Sequence, residues 1–593
     1  MSVASIVFHV FRKLRRSRPL VLLLIFICSI ALFVRTRTSS LSPASVKSVL
    51  LGESRNQYFT HAKDFRAELP EVLITDLQVK FCWRYQACQI DGYLRVPKDL
   101  YLEKSWTSQA YIFIKQVPPE NLKSLDDPVV LDIHVGFSSP QSNEDKNLQG
   151  DSSDVEQTQV DSKGNWVSRS HNIWLKFGKP TDFAVSGVEV LFGSDAVDPR
   201  FGWSLKGDAR NAIDVGSLFH PRLTIRLGSA QKLPSTQLRM NTHGKFKIIQ
   251  VADLHFSTGV GECVDAWPPE TAQDCRADPQ TIAFINRVLD DEKPDFAVLT
   301  GDQVFGDAAP DAQSAFLKSV APFIDRKIPF AVTFGNHDDE GDLSRENLMA
   351  IATSLPYSLA RSGPEFAKGV GNYVLSVLAP RNDHTAMTLY FLDTHKYSPN
   401  PKKFPGYNWL DPSQLDFMAA SYQQLAPLRK QYSHVHMSMA FFHIPLTEYR
   451  NQSNPIVGGY REPSTAPKFN TGARSLLSEL GVSVVSTGHD HVNDFCMYDT
   501  SYSPSNVPSS PASENHAKVQ RQGFEPAIWL CHGGAAGLGG YAGYGGYVRR
   551  VRLFEIDSHG GQISSWKRLG FGEVDKKIDH QILVHGGKIK PLH

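Results

Sequence analysis

Apolar residues are arranged in three ways along the chain. Residues 19–34 form one apolar run of 16, interrupted only by Ser29. From about 70 to 235 the apolar runs are short: 110–114, 129–133, 173–177, 188–192 and 223–227. Gly, Pro, Asn and Asp separate them, and no helical period joins them. Spaced strands of this kind predict an all-β, sandwich-like domain. After Gly244 the pattern alternates. Strands at 247–251, 296–299, 330–334, 388–392, 437–442, 482–485 and 528–530 are interleaved with helices opening at Asp278-Pro279 and lying around 314–324, 412–428 and 471–480. Alternation predicts an α/β body with a parallel or mixed sheet and functional residues at the carboxyl ends of its strands. Two polar stretches, 138–163 and the Ser/Pro-rich 502–515, read as disordered loops. The expected organisation is a basic tail and anchor (1–37), a stem (38–69), a β-rich domain (70–235), an α/β domain (240–570, insertion 498–525) and a C-terminal tail (571–593).

Charge changes the picture only at the N-terminus. The totals nearly cancel, with 62 Lys+Arg against 61 Asp+Glu, so no basic footprint for nucleic acid is expected. No acidic residue precedes Glu53, however, and Arg12, Lys13, Arg15, Arg16 and Arg18 precede the apolar run while Arg35 and Arg37 follow it. That bias predicts a single transmembrane helix with its N-terminus in the cytosol. A run this short suits a thin bilayer. The expectation is a single-pass type II protein of the endoplasmic reticulum, Golgi or vacuole with a lumenal body; a cytoplasmic location is the alternative. A cleaved signal peptide is the competing reading, but no small-x-small site follows Val34. Outside the run lie six Cys (82, 88, 263, 275, 496 and 531), which permit three disulfides in a lumen or remain buried thiols; Cys263 and Cys275 are the favoured pair. Asn451-Gln452-Ser453 offers one glycosylation site.

The chemistry-bearing residues fall at strand ends: Asp253-Leu254-His255, Gly301-Asp302, Gly335-Asn336-His337-Asp338, His443, and Gly488-His489-Asp490-His491. Singly, each is an ordinary turn or packed residue. Five in succession fit two cations that clamp a phosphoryl group and activate a water, with a carboxylate bridging them and imidazoles and an amide completing the shells.

The order D-x-H, G-D, G-N-H-[DE], lone H and G-H-x-H over 246–491 resembles the calcineurin-like metallophosphoesterase superfamily. The resemblance implies a four-layer α/β fold, two packed mixed sheets flanked by helices. It assigns Asp253, His255, Asp302 and His491 to one metal and Asp302, Asn336, His443 and His489 to the other. His337 would be the acid, oriented by Asp338. Stretches 249–256 and 301–306 are similar to a fungal subgroup that includes the dosage-dependent cell-cycle regulator phosphatase and to plant proteins related to purple acid phosphatases; the subgroup's N-terminal β domain extends the likeness over 70–570. It implies a dinuclear-metal phosphatase acting on phosphate monoesters, phosphoproteins among them, by in-line attack of a metal-bound hydroxide. Phe305 stands where purple enzymes carry a Tyr ligand, and His255 where they usually have no His, so no tyrosinate–iron bond is expected and manganese, iron or zinc would serve. The alternatives are a phosphodiesterase with the same metals and a non-catalytic membrane-tethered binding protein. The latter would be expected to lose the bridging ligand or His337, and both are present. Other residues weigh less. Residues 533–546 read as a flexible loop rimming the site. Cys531-His532 points to opposite faces of a strand and makes a poor nucleophile pair. His434 and His436 enter a strand at the end opposite His443, and His395 follows a strand that could face the site. Protease treatment of sealed vesicles should spare the region after Val34; digestion there would overturn the lumenal orientation.

Overall fold

The computed structural model describes residues 68–140, 166–207, 211–501, 526–542 and 546–592, all within one compact unit, Phe65–His593. Among the described residues no helix is long and apolar enough to cross a membrane. The apolar run 19–34 and most of both polar stretches lie outside the described residues.

The first strands are β1 (Leu73–Trp83), β2 (Leu94–Arg95), β3 (Ser108–Val117), β4 (Val129–Val135), β5 (Trp166–Ser168), β6 (Ile173–Gly178), β7 (Val185–Phe192), β8 (Trp203–Leu205) and β9 (Pro221–Leu227). They make three antiparallel sheets, ordered β1-β3-β2, β4-β6-β5 and β7-β9-β8. Ile74, Ile112, Ile133, Leu175, Val190 and Ile225 fill the core between them. Lys98 Nζ meets Asp311 at 2.5 Å, and the Phe192 amide donates to Ser314 Oγ, joining this part to the helices that follow.

The remaining elements are β10 (Lys245–Val251), α1 (Ala277–Glu292), β11 (Phe296–Thr300), α2 (Ala312–Asp325), β12 (Phe330–Thr333), α3 (Arg345–Thr353), β13 (Tyr373–Leu378), β14 (Thr385–Phe391), α4 (Pro412–Gln424), α5 (Ala426–Lys430), β15 (Met437–Phe441), β16 (Ile456–Val457), α6 (Ala473–Glu479), β17 (Val482–Thr487), β18 (Cys496–Asp499), β19 (Ile528–His532), β20 (Arg550–Asp557), β21 (Gln562–Leu569), β22 (Ile578–His585) and β23 (Lys588–Ile589). They build two mixed seven-stranded sheets, β12-β11-β10-β20-β21-β22-β23 and β13-β14-β15-β17-β19-β18-β16.

Strand alternation explains the layering. Ile248, Phe296 and Val298 face Leu389, Met439 and Val484 of the second sheet. Their neighbours Ile249, Ala297 and Leu299 face Ile285 and Val288 of α1 and Phe316 and Val320 of α2. Tyr390, Ala440 and Val485 face Met418 of α4 and Leu477 of α6. Both faces of the central parallel strands are covered, so their sequences read as continuous apolar runs.

Local signals are mostly obeyed. Asp411 caps α4 in a capping box with Gln414, with Pro412 in the first turn. The Asp278-Pro279 pair at which a helix is expected to open is the ordinary signal for an Asp cap, but α1 begins at Ala277, and Asp278 turns inward to accept from the Ser257 amide and meet buried Lys318 at 2.5 Å. The expected tail at 571–593 contains β22 and β23, which extend the first sheet. Only Leu583 and Val584 of β22 are buried, so no hydrophobic period announced it. The disulfides are Cys82–Cys88, Cys263–Cys275 and Cys496–Cys531; the last joins paired residues of β18 and β19.

A buried ionic group ties the sheets together beside β18. Asp494 meets Arg550 of β20 and, at 3.0 Å, Lys567 of β21, while Arg552 donates to the Asp494 carbonyl. Burial alone would raise the Asp494 carboxyl, but Arg550 and Lys567 hold it down at about 2. Its folded value lies below the unfolded one, so its stabilisation is present above about pH 4 and is lost as pH falls through about 2. Asp494→Asn should destabilise by about 3–5 kcal/mol at pH 7. In urea unfolding it should also lose less stability than the parent between pH 5 and pH 2; equal losses would remove Asp494 from the acid response.

Candidate metal centre

Three strand ends of the first sheet and two of the second converge. Asp253 and His255 follow β10, Asp302 follows β11, Asn336 and His337 follow β12, His443 follows β15, and His489 and His491 follow β17. The chain turns sharply at these ends: Asp253, His255, Asp302 and His489 have φ of 54°, 50°, 52° and 75°. Left-handed non-glycine residues of this kind gather at functional sites, where surrounding contacts hold the strain. Gly301 (φ 93°) and Gly335 are required for space: a Cβ would run into the His443 ring at the first and the Asp302 carboxylate at the second.

All seven expected ligands come together, none more than 7% exposed. Two donor sets form, Asp253/His255/Asp302/His491 and Asp302/His443/His489, sharing Asp302. Asn336 Oδ1 lies 3.3 Å from His443 Nε2 and so joins the second set. His443 Nε2 is 3.2 Å from Asp302 Oδ2, and His255 Nε2 is 3.6 Å from the same oxygen. His255 Nε2 and His491 Nε2 face each other at 3.0 Å, and His489 Nδ1 and His443 Nε2 at 3.1 Å. Two of these imidazoles have their other nitrogen committed. His443 Nδ1 donates to the Thr300 carbonyl and His491 Nδ1 to the Tyr541 carbonyl. Both therefore turn Nε2 inward, the arrangement a metal ligand needs once that nitrogen is free of its proton. Facing imidazole nitrogens around shared carboxylate oxygens fit cations, and the mixed N/O set fits two metal ions.

Electrostatics agree. Burial pushes His255 and His489 down to about 3 and holds His491 well below its usual range, so all three are neutral and ligand-competent. Burial works against charge on His443 too, but Asp302 and Asp253 outweigh it and push it up to about 9. Burial lifts Asp253 to about 8. Burial acts the same way on Asp302, yet His443 prevails and keeps it well below the usual carboxylate range.

His337 lies at the rim, its side chain 28% exposed, with its ring 5.2 Å from that of His255 and 5.5 Å from that of Phe305. Its orientation differs from expectation. Asp338 does not touch the His337 ring: its carboxylate accepts the amides of Asp302, Val304 and Gly335 and braces the two loops. Glu340 holds the ring instead, with Oε2 at 2.5 Å from His337 Nδ1. No motif marks Glu340; only its i+3 spacing from His337 could have suggested it. Tyr541 and Tyr407 were missed as well. Tyr541 stacks on His491 at 4.0 Å, and Tyr407 meets His489 edge-on at 4.3 Å. Tyr541 belongs to the glycine-rich run, which contacts the site as expected of a rim, Gly540 packing against His255 and His491. His395 is turned aside, bonded to Gln414. His436 bonds to Thr388, and His434 packs on Tyr432. The disulfide removes Cys531 as a nucleophile.

The calcineurin-like phosphoesterase family matches residues 246–493. Phosphatase DCR2 of Saccharomyces cerevisiae is 40% identical over 418 residues, covering 68% of this chain and 67% of that protein. Probable inactive purple acid phosphatase 29 of Arabidopsis thaliana is 32% identical, covering 58% of this chain and 88% of that one. Among solved structures, a dimetal phosphatase from Danio rerio aligns at a TM-score of 0.37 and 11% identity, over 57% of this chain and 99% of that one. The convergence of five motif-bearing strand ends, the family match over residues 246–493 and the 40% identity to the yeast phosphatase lead to one conclusion: the chain belongs to the calcineurin-like phosphoesterase family.

Proposed function

We propose that this phosphoric-ester hydrolase is a dinuclear-metal phosphatase acting on phosphate monoesters, with phosphoproteins as its substrates. The observation that carries the reading is the pair of donor sets sharing buried Asp302, with His337 standing at their exposed side. Asp253, His255, Asp302 and His491 would hold one ion; Asp302, Asn336, His443 and His489 would hold the other. When bound, the ions supply Lewis acidity toward the phosphoryl oxygens and an activated water. The chain's own groups do the rest. Thr300 and Tyr541 carbonyls fix the tautomers of His443 and His491. Asp338 braces the Asp302 and Asn336 loops. With Nδ1 held by Glu340, His337 has Nε2 free to give a proton to the leaving oxygen.

A lumenal location of this body, behind an anchor at 19–34, is part of the proposal. Three disulfides and the exposed Asn451 side chain of the sequon support it. The β-rich N-terminal part is proposed as a domain carried alongside the α/β body. The Arabidopsis relative is named as inactive, which makes turnover the deciding measurement between catalysis and a binding role.

His337→Ala should keep both metals but lower kcat on an alkyl phosphate by about 10²–10⁴-fold, and by less on an activated aryl ester. Unchanged alkyl turnover would remove His337 from the mechanism. Asp302→Asn should lose metal at both sites, read by elemental analysis of the purified protein; retention of both ions would sink the bridging role. Phosphodiester substrates assayed beside monoesters decide the competing reading, since diester turnover alone would favour a phosphodiesterase.

A further inference from the structure

Beyond β14 the chain makes a short hairpin at the mouth of the metal centre. The Ser398 amide donates to the Gly406 carbonyl and the Asn408 amide to the Lys396 carbonyl, pairing Tyr397 with Tyr407 across the hairpin. Both ends of the hairpin are fixed. Arg345 donates to the His395 carbonyl while also holding the Gly335 carbonyl beside Asn336, and Lys396 meets Asp339 at 3.2 Å. At the tip, Phe404 packs on Trp409 and Phe469. The hairpin is therefore braced against the loop that carries Asn336 and His337.

Its two tyrosines continue the wall of the site outward. The Tyr407 ring stands perpendicular to His489 at 4.3 Å, and Tyr397 stacks on Tyr407 at 5.7 Å and 21°. The Tyr397 hydroxyl donates to Glu340 Oε1 at 3.4 Å, and the other oxygen of that carboxylate holds His337. One aromatic surface thus runs from a metal-set imidazole to the carboxylate behind His337. Exposure rises along it, from 7% at His489 to 55% at Tyr397.

We propose that Tyr397 and Tyr407 form the leaving-group wall of this site, and that the favoured substrates are aryl phosphate esters, namely phosphotyrosine in a peptide. The proposal rests on the monoesterase reading above. The wall lies on the side of His337, where the leaving oxygen departs. A phosphotyrosyl ring leading outward from the phosphoryl site would lie against the face of Tyr397 turned away from Tyr407. Offset aromatic contact adds affinity beyond the area covered. A phosphoseryl side chain has no ring for this surface, and its short stem brings the peptide backbone against the rim. In the reaction the water oxygen bonds to phosphorus, the bond from phosphorus to the aryl oxygen breaks, the proton from His337 ends on the phenol, and the proton released by the water restores His337. Inorganic phosphate leaves as the second product.

The test uses the full-length protein purified with its metals and paired peptides carrying phosphotyrosine or phosphoserine at one position. The phosphotyrosine peptide should have the higher kcat/KM by about tenfold, mostly through KM. Tyr397→Leu should bring the ratio near one, and Tyr397→Phe, which keeps the ring, should preserve it. Equal rates on both peptides, or a ratio that Tyr397→Leu does not move, would overturn the proposal. Binding of non-hydrolysable phosphonate peptides, aryl against alkyl, tests the wall without turnover. If neither phosphopeptide is hydrolysed, the monoesterase reading fails and the phosphonates decide the wall alone: tighter aryl binding lost in Tyr397→Leu supports it, and equal binding overturns it.

Discussion

Asp253 and Asp302 are fully buried beside imidazoles that are buried too, Asp302 at 3.2 Å from His443 and Asp253 at 3.8 Å from His491, and two carboxylates this far out of water are tolerable only if positive charge sits among them. The charge balance shows the need. Burial lifts Asp253 to about 8, and Asp302 and Asp253 together lift His443 to about 9 against the pull of burial. Protons can meet that demand in part. Two cations meet it more fully, because each brings more charge and accepts several lone pairs at once. The surrounding structure serves to hold these groups together against their tendency to separate.

The scaffold does this with strand ends and braced loops. Parallel strands of two facing sheets end on the same side, so residues nearly 240 positions apart meet, as Asp253 does with His489. Left-handed turns at four site residues are strained, and each is held from outside. Asp338 ties the loops after β11 and β12, and Arg345 ties the second of these to the segment after β14. Lys318 performs a similar task on the other flank. It meets Asp278, which fixes the Ser257 amide just past His255, and Asp195 in the β-rich part. The position of the His255 loop is thereby coupled to a region that contributes no ligand.

How much was legible depended on whether the signal was local. The seven donors that converge were legible because metal chemistry restricts residue type and each motif sits where a buried apolar run stops. Central strands were legible because burial on both faces leaves a continuous apolar run. Asp278 misled because Asp-Pro at a helix start is the ordinary capping signal, and nothing nearby reveals that a lysine 40 residues on will claim its carboxylate. Asp338 misled in the same way: adjacency to His337 suggested a side-chain partnership, whereas three backbone amides from two loops take up its oxygens. Glu340 carried only its i+3 spacing from His337 and Tyr541 only its place in the glycine-rich run, since an orienting group needs only to be nearby in space. Strand β22 was hidden because a strand near the border of a sheet, flanked outside only by the two-residue β23, need not be apolar.

By itself, then, the sequence determined the donor set, the order in which strands present it and the alternation of strand and helix, because ligand chemistry and two-sided burial are written into residue type and spacing. Tertiary structure alone decided which imidazole nitrogen faces inward, that Glu340 rather than Asp338 holds His337, that Cys531 is bound to Cys496, and that two tyrosines on a hairpin extend the wall beside His489. Those outcomes depend on distances between segments far apart in the chain, which no local pattern encodes.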